Sequence, residues 1–254
     1  MTVITGNPPS RLEQASASTE KEAWDADARF YLGMVLVAAV IIFVGFAPSF
    51  YLKSVIHAPP PLTQLTIAHG LVFTTWVLLF IVQASLIARG RPALHRQLGI
   101  LGAILFGAMV SLGLSTAITA ARLGHAPPEA PPPLAFMALS LFLILGALVL
   151  VAMGLWNRRR SDWHKRLMLV SLFVMTGPGI GRIAIPLGFA LHEVAIGIVV
   201  TVLLLAVAVG YDYRVRKRVH PAYWVAAAVV ISSYAGVMWA FGSPVWMAFA
   251  KAIT

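Results

Sequence analysis

The sequence predicts an all-α, polytopic membrane bundle of seven transmembrane helices, its N-terminus in the cytoplasm and its C-terminus on the opposite side. Three observations predict it. Of the 254 residues, 59% are hydrophobic and only 11% charged, against about 25% charged in soluble domains. The apolar residues gather in blocks long enough for a helix to cross a bilayer core of about 30 Å, which takes roughly 20 residues. Basic residues concentrate in every second loop between the blocks, as orientation signals do. Outer-membrane strands alternate polar and apolar side chains, and these blocks do not.

Residues 1–29 read as a cytoplasmic tail, partly disordered, and 30–254 as the seven-helix domain with short loops. The tail is rich in Ser, Ala and Glu until about Lys21, after which EKEAWDADARFY suits a short interfacial helix with Trp24 at headgroup level. The first span runs from about Phe30 to Phe50 and ends near Pro48; the second covers about Thr66 to Ala88. The third follows over about Leu98 to Ala121, and a proline-rich loop, RLGHAPPEAPPP, cannot stay helical. The fourth, Leu134 to Trp156, has Ser140 as its one hydrogen-bonding side chain before the terminal Trp, and is expected to face lipid. The fifth, sixth and seventh cover about Leu167 to Leu187, Leu191 to Tyr211 and Ala222 to Phe241. The tail SPVWMAFAKAIT is expected to lie along the interface.

Orientation follows from the loops. Those after the second, fourth and sixth spans hold three, five and four Lys or Arg, twelve of the nineteen in the chain. The opposite loops hold Lys53 and Arg122 alone. Positive loops stay inside, which places the chain as a multi-pass protein of the cell inner (plasma) membrane. The three basic hairpins also repeat a pattern, each return helix opening on a His: Leu94-His95-Arg96, Trp163-His164-Lys165 and Val219-His220-Pro221. The first two copies extend to LHRQL and WHKRL, a short match similar in spirit to transporter repeats.

Composition narrows the function. The net charge of +10 sits in loops as topology signals, so the lipid bilayer rather than nucleic acid is the expected partner. With no cysteine, disulfides, thiolate ligands and thiol nucleophiles are excluded. No early apolar core marks a secretory signal in Met1 to Arg29. No nucleophile elbow, HExxH or phosphate loop appears.

Charged side chains inside a span cost about 2.5–3.5 kcal/mol on insertion scales and so mark protein-facing or water-facing sites. Four ionisable residues stand in or beside the apolar blocks, namely His69, Arg182, His192 and Glu193, and the topology puts all four in the outer half. They are expected to turn towards one another. In the second span His69, Trp76 and Gln83 recur every seven residues and share a face. In the fifth, His164, Met168, Ser171, Met175, Pro178 and Arg182 do the same. Both stripes suit either a site or an ordinary helix seam. Thr176-Gly177-Pro178-Gly179-Ile180-Gly181-Arg182 combines a missing backbone donor with three glycines. It is read either as a broken helix shaping an outer pocket around Arg182 or as a kink with close packing. His95, His164 and His220 read as headgroup-facing caps, and His57 and His125 as solvated loop residues.

The string HGLVFTTWVLLFIVQASLIARGRPALHRQLG, with WHKRLMLVSL and Arg182, resembles a family of uncharacterised bacterial multi-pass membrane proteins over roughly Phe46 to Pro221. That resemblance implies the seven-span architecture and no particular activity. A weaker likeness is to transmembrane di-haem cytochromes b, whose histidines lie deeper in the bundle.

Three readings stay open. In the redox reading His69 with His192, and His95 with His164, hold haem b and carry electrons across the membrane, with Arg182 on a propionate. In the second, a transporter or receptor, His69, Arg182, His192 and Glu193 form an outer pocket for an anionic or protonatable small molecule or a quinone. In the third the chain is an accessory subunit of a membrane complex. His69, His192 and Glu193 also suit a metal ion, although without fixed spacing.

Overall fold

The computed structural model describes residues 11–56, 61–126, 130–184, 187–188 and 192–254, with the side chains of 11–21, 23 and 193 left aside. In chain order the helices are α1 (Arg11–Phe46), α2 (Lys53–Ile56), α3 (Gln64–Ala88), α4 (Pro92–Arg122), α5 (Pro133–Trp156), α6 (Ser161–Ala184), α7 (Glu193–Arg216), α8 (Pro221–Phe241) and α9 (Pro244–Ile253). Seven of them, all but α2 and α9, are long and apolar enough to cross a membrane. The predicted all-α bundle is therefore the architecture found, and the chain is a multi-pass membrane protein.

Helix boundaries follow local chemistry. Pro92, Pro133, Pro221 and Pro244 each open a helix, where the absent N–H has no intrahelical partner to lose. The Thr63 and Ser243 hydroxyls accept from the N–H groups of Thr66 and Trp246 and cap α3 and α9. After Phe46 the chain widens into a π-turn, Ala47–Tyr51, around Pro48, which cannot donate the ordinary helical bond.

α6 is the central helix. It packs against α1, α5, α7 and α8, and 72% of its most apolar stretch is buried, the largest share among the seven. Its glycines allow one close crossing: a Cβ added to Gly45 of α1 would run into the backbone carbonyl of Gly179. α3 and α4 form a hairpin at one side, and α5 joins it to α6 and α8.

Three expectations change. The N-terminal segment from Arg11 is not a tail followed by a separate interfacial helix, because α1 runs unbroken into the first span; an existing helix extends without paying for a new nucleus. α5 does not face lipid along its length. It is 44% buried over its apolar window, because small residues admit its neighbours, with Gly146 against Ser233 and Gly154 against Met168. α6 is not broken at Pro178, since it stays helical to Ala184. The C-terminal tail is a helix, α9, whose buried Trp246 donates to the Leu134 carbonyl oxygen at 2.9 Å.

Exposed Trp24, Trp156 and Trp224 stand at the end of the bundle that carries the basic loops, and exposed Trp239 stands towards the other. Tryptophans at both ends of apolar helices are what a bilayer interface selects.

Candidate functional site

Polar chemistry collects at the two ends of the bundle. At the end away from the basic loops a cavity of about 570 Å³ opens between α3, α4, α5 and α6. Its walls are largely apolar and include Phe46, Phe73, Phe106, Met109 and Met175. His69 and Arg182 both line it, as do Gly177, Pro178 and Gly181 of the unusual α6 segment.

His69 is half-buried, and its Nδ1 is enclosed with no hydrogen-bond partner among the described residues. The ring lies against α4 where Gly113 leaves it room: a Cβ there would stand 3.5 Å from His69 Cε1. A buried imidazole nitrogen without a partner costs roughly 1–3 kcal/mol. Arg182 is exposed and held at its base. Its Nη1 donates to the Pro178 carbonyl oxygen at 2.9 Å and its Nε to the Ser49 hydroxyl at 3.2 Å. Its guanidinium lies 4.4 Å from the centroid of the Phe46 ring. The Tyr234 hydroxyl, also on the wall, bonds Thr201 Oγ1 at 3.2 Å.

His192 does not join this pair. It is exposed and does not line the cavity, although Val194 and Gly197 just beyond it do; the Glu193 side chain and the whole of His57 lie outside what is described. The helix starts at Glu193, and Val194 in its first turn and Gly197 in the next line the cavity. Among the described residues no group of three or more His, Asp or Glu stands together as a metal site. The seven-residue stripe of α3 is a seam on α4: His69 meets Gly113, the Trp76 ring lies tilted with its centroid 5.4 Å from that of Phe106, and Gln83 faces Gly99. Trp76 is buried off the cavity, and Gln83 Oε1 is enclosed without a partner among the described residues.

The basic end holds a network that loop counting does not reveal. Arg166 of α6 and Asp212 of α7 form an ion pair with side chains 1% and 0% exposed. Asp212 also accepts from Arg216 Nη1 at 2.8 Å and from the His220 backbone N–H at 2.9 Å. Asp27 of α1 pairs with Lys165 and with Arg216, the latter at 2.7 Å. His220 Nε2 lies 2.9 Å from Asp162 Oδ2. Lys165 and Arg166 sit over the Tyr31 and Tyr223 rings, whose hydroxyls meet at 3.2 Å. Four helices are thereby tied at one end. The signal for it is Asp212, an acid near the end of an apolar span and four residues before Arg216.

His95 and His164 are hinge pins, not caps turned to headgroups. His95 Nδ1 donates to the Gln83 carbonyl oxygen at 3.4 Å and His164 Nδ1 to that of Gly154 at 2.9 Å. Each ties the start of a return helix to the end of the helix before it, so the two longer copies of the repeat share one device. Their rings meet edge to face, centroids 6.1 Å apart. The third copy departs: His220 Nδ1 accepts from the Ala222 N–H and caps α8.

No family model, no curated protein and no solved structure matches this chain, so its chemistry is read from the residues themselves.

Proposed function

We propose that this membrane protein binds a small amphiphilic molecule, a weak acid or a quinone-like carbonyl compound, in the cavity at the non-basic end, as a transporter or receptor. By the charge rule that end faces away from the cytoplasm of a cell inner (plasma) membrane. The observation that carries the reading is a largely apolar cavity lined by two ionisable residues, His69 and Arg182. Ligand sites are concave, about 300–1,000 Å³, mostly apolar, and carry a few polar groups that orient the guest. An oxygen-bearing head would take the Arg182 guanidinium beside the His69 ring, with its body against the apolar walls. Thermal unfolding of the detergent-purified protein against a panel of lipophilic acids and short-chain quinones tests it. A compound that stabilises the wild type and loses that effect in both His69→Ala and Arg182→Ala supports the reading. Equal stabilisation of wild type and variants by every active compound, or no active compound, removes it.

A second, redox reading is supported by the His95–His164 pair alone. Both Nδ1 atoms are engaged by backbone carbonyls, which leaves each Nε2 as the ligating nitrogen, as in many metal-bound histidines. A bound haem b would supply one-electron chemistry there, and these two residues would hold it. The outer partner pair has no such support, given where His192 lies. A visible spectrum and metal analysis of the purified protein decide it: without a Soret band or stoichiometric metal the redox reading is gone.

A further inference from the structure

Beside the ion network at the basic end lies a second cavity, of about 160 Å³, lined by Asp162, Lys165, Arg166, Asp212, Arg216, Arg218 and His220. Counting donors against acceptors there is informative. Asp212 Oδ1 is taken by Arg166 and Arg216, and its Oδ2 by the His220 N–H. Asp27, next to the cavity, is taken by Lys165 and Arg216, and the Asp162 carboxylate accepts from His220. Each carboxylate is already engaged by at least one donor, and donors remain. Arg166, 1% exposed, has an enclosed Nε with no partner among the described residues. The Arg218 guanidinium has none either among those residues, and Lys165 has two ammonium protons beyond the one on Asp27. Four cations thus surround a space with three carboxylates already committed.

We propose that this cavity is a binding site for a phosphate group, supplied either by a phospholipid headgroup or by inorganic phosphate. Arginine forks match the oxygens of a tetrahedral oxyanion, and at about 30 Å³ per water the space takes one with solvent to spare. Basic pockets between transmembrane helices on the cytoplasmic side are where anionic headgroups dock. Exposed Trp24 and Trp224, near the same end, mark the headgroup level. The site is separate from the His69 cavity and does not depend on what that cavity holds.

The test uses the full chain and two probes, inorganic phosphate added to detergent-purified protein and phosphatidic acid in phosphatidylcholine nanodiscs, each read by thermal unfolding. Sodium chloride at matched ionic strength and nanodiscs of phosphatidylcholine alone are the references. Arg218→Gln removes a cavity cation outside the network, and Arg214→Gln removes an exposed cation of α7 that does not line the cavity. At least one probe stabilises the wild type beyond its reference, and Arg218→Gln weakens that binding by about tenfold while Arg214→Gln leaves it unchanged. Phosphate active and phosphatidic acid inactive identifies a soluble ligand; the converse identifies a lipid. Stabilisation no greater than in the references, or weakened equally by both substitutions, overturns the site.

Discussion

Arg166 Nη2 and Asp212 Oδ1 are hydrogen-bonded between α6 and α7 with both side chains sealed from solvent. A buried pair of this kind is costly to break and cheap to replace. Losing one partner strands a charge, at about 3–5 kcal/mol, whereas two apolar side chains of similar volume are often neutral or better. Asp212→Ala is therefore expected to lower thermal stability sharply, because it strands Arg166 and also frees Arg216 and the His220 N–H. The double variant Arg166→Met, Asp212→Leu is expected to recover most of that loss. Circular dichroism melts of the three proteins in one detergent check the ordering, and a double variant no better than Asp212→Ala contradicts it.

This pair also shows where the sequence runs short. The bundle is legible because hydrocarbon enforces helix length and loop charge residue by residue. His69 and Arg182 are legible for the same reason, since an ionisable group in an apolar block stands out. Asp27, Asp162 and Asp212 are not, because they sit in or beside basic loops, and orientation is scored on Lys and Arg alone. His192 shows the opposite failure. Depth along a helix places it beside His69, but which way a helix-start residue turns depends on packing that one sequence does not record. The lipid-facing expectation for α5 errs because apolar small residues serve helix contact as well as lipid contact.

Gly113 separates cavity effects from fold effects. It leaves space beside His69, and an added Cβ would come 3.0 Å from Ile144 Cδ1, the movable end of a side chain. Gly113→Leu is expected to push into the His69 cavity and weaken any ligand held there by roughly tenfold or more, about 1.4 kcal/mol or above. The overpacking itself costs about 1–3 kcal/mol of stability. Ligand-dependent melting of Gly113→Ala and Gly113→Leu checks this. Undiminished binding in the leucine variant means that the guest does not approach His69.

The α1–α6 crossing predicts a sharper contrast. Gly45 meets the Gly179 backbone, whereas Gly33, on the same helix, has nothing within 4 Å of an added Cβ. Gly45→Val cannot be absorbed by moving a side chain, so its cost is expected at or above the top of the usual overpacking range of about 1–3 kcal/mol. Gly33→Ala is expected to be neutral or slightly stabilising, since alanine is the better helix former by about 1 kcal/mol. Equal melting temperatures for the two variants would show that the helices cross elsewhere.

Membrane orientation decides which compartment each cavity meets, and the chain is suited to measuring it because it has no cysteine of its own. Leu123, 56% exposed, lies just past α4 at the end holding the His69 cavity. Ser161, also exposed, opens α6 at the basic end. Ser161 lines neither cavity, and Leu123 lines the larger one with an exposed side chain, so a cysteine at either position reports location. By the charge rule the twelve loop cations are expected to keep the basic end inside. An impermeant maleimide added to intact cells is therefore expected to label Leu123→Cys and to spare Ser161→Cys until the membrane is opened. If Ser161→Cys is the one labelled, the phosphate cavity faces outward and the His69 cavity faces the cytoplasm. The anionic headgroup source and the external ligand would then both lose their footing, while the distances within each site would stand.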